Sequence, residues 1–202
     1  IHHSNYEHAQ PGHPIHTLKL ENQVLQSLLT DEIDGLLAKM AKGDWSQKER
    51  LQHALTDLLQ IDKHYARKET LIFSYMEKYG ISAPPKVMWG VDDDIREMIK
   101  ALNAYLATDK AAYNPLSEKW EAVKTEVEEM IFKEEEIMVP MTLDVFSLKD
   151  WEQIAHDSFD IGFAFIPEPL PWKPSQESLE KESEREPARQ LAIKKAKETT
   201  DG

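Results

Sequence analysis

The 202 residues carry a formal net charge of −13, no cysteine and only 7 glycines. The missing thiols exclude disulfides, zinc–thiolate sites, iron–sulfur clusters and thiol catalysis, and they suit a cytoplasmic setting. The acidic balance argues against nucleic acid or an anionic membrane as partner, no apolar run is long enough to span a bilayer, and no basic-then-apolar leader pattern is present. Few glycines and few alternating β-branched runs point to an all-α chain with one core and tails.

Residues 1–12 read as a polar N-terminal arm ending at Pro11-Gly12, and its His2 and His3 are assigned no role. Helix A is expected from His13-Pro14, where proline suits a first turn, to about Lys42 before Gly43. Its apolar stripe is Leu18, Glu21, Leu25, Leu28, Ile33, Leu36 and Met40, with one carboxylate intruding and His16 five residues before it. After the turn Asp44-Trp45-Ser46, helix B is expected from about Gln47 to Tyr79. Its stripe is Leu51, Leu55, Leu58, Asp62, Tyr65, Glu69, Ile72 and Met76, which puts Asp62 and Glu69 on the buried face with His64 beside them. Helix C, about Lys86 to Thr108, has the stripe Met88, Asp92, Ile95, Ile99, Leu102 and Leu106. Helix D runs from Asn114-Pro115 to about Val139-Pro140 on Leu116, Trp120, Val123, Val127, Met130, Glu134, Ile137 and Met141, with Glu134 and Glu135 straddling its edge. A short fifth helix is expected over 148–165. The proline-spaced stretch from Pro167 to Pro174 and the charged residues beyond it read as an extended exit and a mobile tail or linker.

Four long helices with short connections predict an antiparallel up-down four-helix bundle over 13–166, with 167–202 outside it. In such a bundle, residues at equal height have nearly constant index sums. Glu21 then lies level with about residue 67, Glu69 with about residue 95 and Asp92 with about residue 130. All four helices thus bring an acid or a histidine to one slab. A bare buried carboxylate costs several kcal/mol, so these acids must be paired, protonated or metal-bound. Carboxylates facing each other from antiparallel helices, with histidines nearby, suit a two-metal site of iron or manganese, and ligand type leaves zinc open. Helices B and D also align internally, Glu69 with Glu135 and Lys68 with Glu134.

The run His64-Tyr-Ala-Arg-Lys-Glu69-Thr-Leu-Ile-Phe73 resembles the His-aromatic-x-x-Glu-Glu-x-x-Leu-Phe-Pro signature of hemerythrin-like, HHE cation-binding domains. Gly12-His-Pro-Ile-His16 with Glu21-Asn22, Val87 to Arg96, and Lys133 to Met141 are similar to a bacterial branch in which the domain accompanies an uncharacterised upstream domain and often a PAS sensor. The resemblance covers about residues 8–170. It implies two non-haem irons that bind or sense O2, NO or peroxide in a signalling or stress-response protein. An oxidoreductase acting on peroxide or NO, an iron-handling protein and a metal-free helical interaction module are the alternatives, and a sensor is preferred to an enzyme.

The candidate metal ligands are His13, His16, Glu21, His64, Glu69, Asp92, Glu134 and Glu135. His13 is also read as a helix-start residue whose ring covers the open bundle end, and Glu21 and Asp92 equally as partners that orient a histidine. Three departures from the family pattern stand out. Its first glutamate, four after the histidine, is Lys68; Asp92 and Met130 stand where helices C and D carry histidines. Lys68 reads as a salt-bridge partner that lowers the site's negative charge. His53 and His156 read as surface residues.

Overall fold

The computed structural model describes residues 7–201, so His2 and His3 lie outside the described residues; all regular structure among those described is helical. Helix α1 (residues 14–41) starts behind His13, whose Nδ1 accepts from the Ile15 amide at 3.0 Å, with Pro14 in the first turn. Gly43, at a φ of 90°, closes its C-terminus. Helix α2 (residues 48–78), α3 (Ala83–Leu106) and α4 (residues 113–145) complete the expected antiparallel bundle. The core lies between them and includes Leu25, Leu29, Leu55, Leu58, Ile95, Ile99, Trp120 and Val127, all at most 1% exposed.

Each of the four bundle helices except α3 contains a π-helical segment: Leu28–Ile33, Lys68–Ile72 and Lys133–Met138. A π turn inserts a residue into the helical register and widens the arc that faces inward. Consecutive residues Arg67, Lys68 and Glu69, which a regular 3.6-residue repeat spreads over about 200° of the helix surface, are all buried. The last of these segments ends just before Pro140. The hydrogen-bond register already shifts there, so the helix continues through the proline to Val145 instead of stopping near Pro140 as expected. Helix α3 also begins earlier than expected, with Pro84 and Pro85 taken into its first turn.

Asp62 departs from the sequence-based expectation: its side chain is 65% exposed and pairs with Arg96. Between Asp57 and Lys63 the α2 amides bond three residues back rather than four (Leu59 to Thr56, Gln60 to Asp57, Asp62 to Leu59). This overwound turn carries Ile61 inward and Asp62 out.

Helix α5 (Leu148–Ile161) opens on a Ser147–Asp150 capping box and lies across α1 and α2. The chain then turns at Gly162 (φ 96°), and the segment after it meets the bundle interior. Where a mobile tail is expected, the chain instead forms helix α6 (Gln176–Asp201), docked on the end of α4 and on α3. Its contact stripe is Ser178, Glu182, Arg185, Arg189, Ile193 and Ala196, and Trp172 is buried just before it. Arg189 Nε donates to the Val145 carbonyl at 2.8 Å, and Arg185 donates to those of Leu143 and Phe146. Two cations thereby cover the carbonyl-rich end of α4, where the helix dipole favours positive charge. None of the described helices is long and apolar enough to cross a membrane.

The docking of α6 predicts that R185A/R189A lowers stability by about 1–3 kcal/mol, the scale of charged hydrogen bonds to buried carbonyls. Urea denaturation of the double variant checks this. An unchanged midpoint would show that α6 does not rest on α4 in solution.

Candidate functional site

The slab expected from the index sums forms, and at its centre stands an ammonium group. Lys68, in the π segment of α2, is 1% exposed. Its Nζ donates to Asp92 Oδ1 of α3 at 2.8 Å and to Glu134 Oε2 of α4 at 2.7 Å. It also lies 4.3 Å from the centroid of the Tyr65 ring, a favourable place for a desolvated cation.

One turn before it, His64 spans two carboxylates. Nδ1 is 2.9 Å from Glu21 Oε1 of α1, and Nε2 is 2.8 Å from Glu134 Oε1. Carboxylates only accept, so both contacts are satisfied together when the ring is an imidazolium. Burial alone would lower the His64 pKa, but the charges of Glu134 and Glu21 outweigh it and raise it to about 9. Burial likewise works to raise the pKa of Glu21; His64 and Arg67 overcome it and hold that carboxyl at about 2. Glu134 is held well below the ordinary range by His64 and Lys68, again against the pull of burial.

Glu21 is fully engaged. Besides His64 it accepts two hydrogen bonds from Arg67 and one from the Ala164 amide beyond α5. Arg67 also donates to the Gly162 carbonyl at 3.1 Å and stacks over Phe163. The segment after α5 thus closes the site from one side. On the other, Asn22 Nδ2 donates to both Glu134 (3.1 Å) and Glu135 (2.9 Å). Asp92 is 0% exposed; burial pushes its pKa up to about 8 against the opposing Lys68 charge, with neighbouring Glu69 pushing the same way.

Of the sequence candidates, the structure brings Glu21, His64, Asp92 and Glu134 to one centre around Lys68. Glu69 points to the side of it and forms a two-pronged pair with Arg96 at 2.8 and 2.9 Å. Glu135 is half-buried and reaches the centre only through Asn22. His13 packs between Trp151 and Trp172 (4.8 and 4.7 Å between centroids) as the cap of α1. Burial, then the neighbouring His8 and His16, lower its pKa to about 3 and keep it neutral. His16 is half-buried, and no hydrogen bond among the described residues joins it to the cluster. Sequence reasoning gave Arg67, Asn22, Arg96 and Ala164 no place in the site. Arg67 and Asn22 each lie within three residues of a candidate acid or histidine, which was the available signal.

An all-helical bundle with a buried ionic centre defines the class. The model of the hemerythrin HHE cation-binding domain family matches residues 13–142, most of the chain, and the chain belongs to that family. It is thus a helical domain of a cation-binding family. No curated protein matches the chain.

The pair of metal ions that the family implies does not fit these residues as they stand. A fixed ammonium bridges Asp92 and Glu134. Both nitrogens of the best imidazole ligand face carboxylates. The space beside His64, Arg67 and Lys68 amounts to about 20 Å³, room for about one water. Among the described residues, no group of three or more histidine and acidic side chains is arranged to hold a metal ion.

The raised His64 pKa carries a pH signature. A charged His64 stabilises the fold fully below its unfolded value of 6.5, and that contribution is lost as pH rises through about 9. Asp92, also raised, acts in the same direction. Urea midpoints should fall between pH 6.5 and 9.5 in the wild type and fall less in H64Q. A wild-type midpoint that is flat or rises over this range would mean that His64 is not held as an imidazolium.

Proposed function

We propose that this chain is a hemerythrin-family bundle whose ligand level is closed by its own cations, and that it works as a metal-free helical interaction module. We place it in a cytoplasmic signalling or stress-response protein. The observation that carries this reading is the double engagement of His64, with a carboxylate at each ring nitrogen. A histidine that ligates a metal needs one nitrogen free of its proton.

The second reading is the di-iron domain that binds or senses O2, NO or peroxide. Family membership favours it, as does Asp92 Oδ2, which is buried without a hydrogen-bond partner. The peroxide- or NO-reacting oxidoreductase and the iron-handling protein depend on the same metal pair. In all of them Lys68 has to leave its position between Asp92 and Glu134 before those carboxylates can serve as ligands.

Metal analysis after expression in iron-replete medium separates the readings. The metal-free module predicts less than about one transition metal per chain, against the two of a carboxylate-bridged bundle site, and a melting temperature unmoved by a chelator. Two irons per chain, with an absorption band that changes on adding azide, would replace it by the sensor reading.

A further inference from the structure

We propose that the face formed by α1 and α2 is the docking surface for a second copy of this chain, joined across a twofold axis at the height of Gly35. The inference rests on the interaction-module reading and names its partner. Between the two helices runs an open groove of about 670 Å³, with Val24, Leu28 and Leu36 on its apolar side. Gly35 stands exposed at its edge, and a Cβ placed there would meet nothing within 4 Å, so another helix can approach the α1 backbone closely. Asp31, Lys39, Arg50 and Asp57 also line the groove; all four are exposed, and none makes an ion pair among the described residues. Since α1 ends at Ala41 and α2 begins at Lys48, residues whose numbers sum to about 89 share a height. Lys39 then lies level with Arg50 and Asp31 with Asp57, the two levels being about 11 Å apart. Both helices straddle one midpoint. Asp31 and Lys39 are each four residues from Gly35, and Arg50 and Asp57 are centred between His53 and Ala54, at the same height.

A twofold axis in the plane of contact, perpendicular to the helices at that height, lays α1 antiparallel on α1 of the second copy and α2 on α2. Lys39 then faces Asp31 of the second copy and Arg50 faces its Asp57, and each pair occurs twice, as an isologous contact requires. An axis parallel to the helices would instead lay α1 on α2 and set Lys39 against Arg50 and Asp31 against Asp57, like on like. The charges thereby choose one orientation. They also choose the face. The groove between α3 and α4 is lined by Asp94, Glu97, Glu121 and Glu126 without a cation, so two chains of net charge −13 repel each other there. Exposed ion pairs add little affinity singly and mainly fix orientation. Attraction comes from the close approach at Gly35 and from apolar contact, since the α1–α2 turn with its half-buried Trp45 comes to the height of Val24 and Leu28 of the second copy.

The test is sedimentation velocity on the full chain and three charge reversals, D31K, K39D and R50D. Wild type should sediment as a dimer at about 100 µM, and each reversal, which sets like charges against each other, should raise Kd at least about tenfold. An equimolar mixture of D31K and K39D should re-form dimers, because every Lys39–Asp31 contact in the mixed pair is again between opposite charges. D31K lowers the net negative charge and K39D raises it, so general repulsion between acidic chains would move the two in opposite directions. All three side chains are exposed and unpaired within the chain, so melting temperatures should stay at the wild-type value. A monomeric wild type at about 100 µM would overturn the proposal. So would a dimer indifferent to the reversals, which would place contact on another face, or a mixture that stays monomeric. The two readings fail separately: a metal-free monomer removes this interface and leaves the module to another partner, whereas metal in a wild type that dimerises as described removes the metal-free reading.

Discussion

Three acids, Glu21, Asp92 and Glu134, each at most 1% exposed, are buried at one level of the bundle, and their charge has to be answered within that level. Lys68, His64 and Arg67 answer it from α2, so one helix supplies the cations for acids on the other three. Breaking such a pair by removing one partner costs far more than the pair contributes to stability, since it strands a charge out of water. The network therefore sets register: sliding α1, α3 or α4 by one turn against α2 would separate a carboxylate from the cations that answer it. It also recruits the segment after α5, because the last donors to Glu21 and the last acceptor for Arg67 come from Ala164 and Gly162.

The π segments are the backbone's means of placing these side chains. A regular α-helix turns about 100° per residue, so three successive positions spread over about 200° of its surface. Lys68–Ile72 begins at the ammonium, and Lys133–Met138 brings in Glu134. In α2 the shift lets Arg67 serve Glu21, Lys68 serve Asp92 and Glu134, and Glu69 serve Arg96, three adjacent residues with three partners on different elements. Such irregular turns gather where side-chain placement outweighs ideal hydrogen bonding.

Much of the bundle was legible in the sequence. The apolar stripe of α3, most of the stripes of α1 and α4, and the index sums that bring Glu21, Asp92 and Glu134 to one level follow from spacing alone. What escaped did so wherever the helical repeat departs from 3.6. The overwound turn before Lys63 turns Asp62 outward, and in the π segment of α4 Ile137, expected on the buried stripe, is 50% exposed while Met138 beside it is buried. Glu69 keeps its burial but spends its charge on Arg96, a partner that no stripe of α2 could reveal. Helix α6 escaped for another reason. Its docking stripe has helical spacing yet consists mainly of Ser, Glu and Arg, so most of its contacts are hydrogen bonds, and Ile193 and Ala196 alone leave too short an apolar pattern to read.

A metal centre and an ammonium centre satisfy the same acids with different consequences. A bound metal contributes stability that depends on its concentration, so a domain built around one responds to metal supply and to ligands that compete for it. The Lys68 ammonium is covalently held and redox-inert, and its effective concentration is fixed by the chain. Its attraction to Glu134 is therefore present in the folded bundle whatever the metal content of the surroundings. Orientation adds a second difference: an ammonium offers three hydrogens in fixed directions, two used by carboxylates, with the Tyr65 face also close by. That leaves no open coordination position at which a diatomic ligand could bind. On the metal-free reading we propose, the side chain at the fourth position after His64 supplies from within the chain the positive charge that holds these acids together.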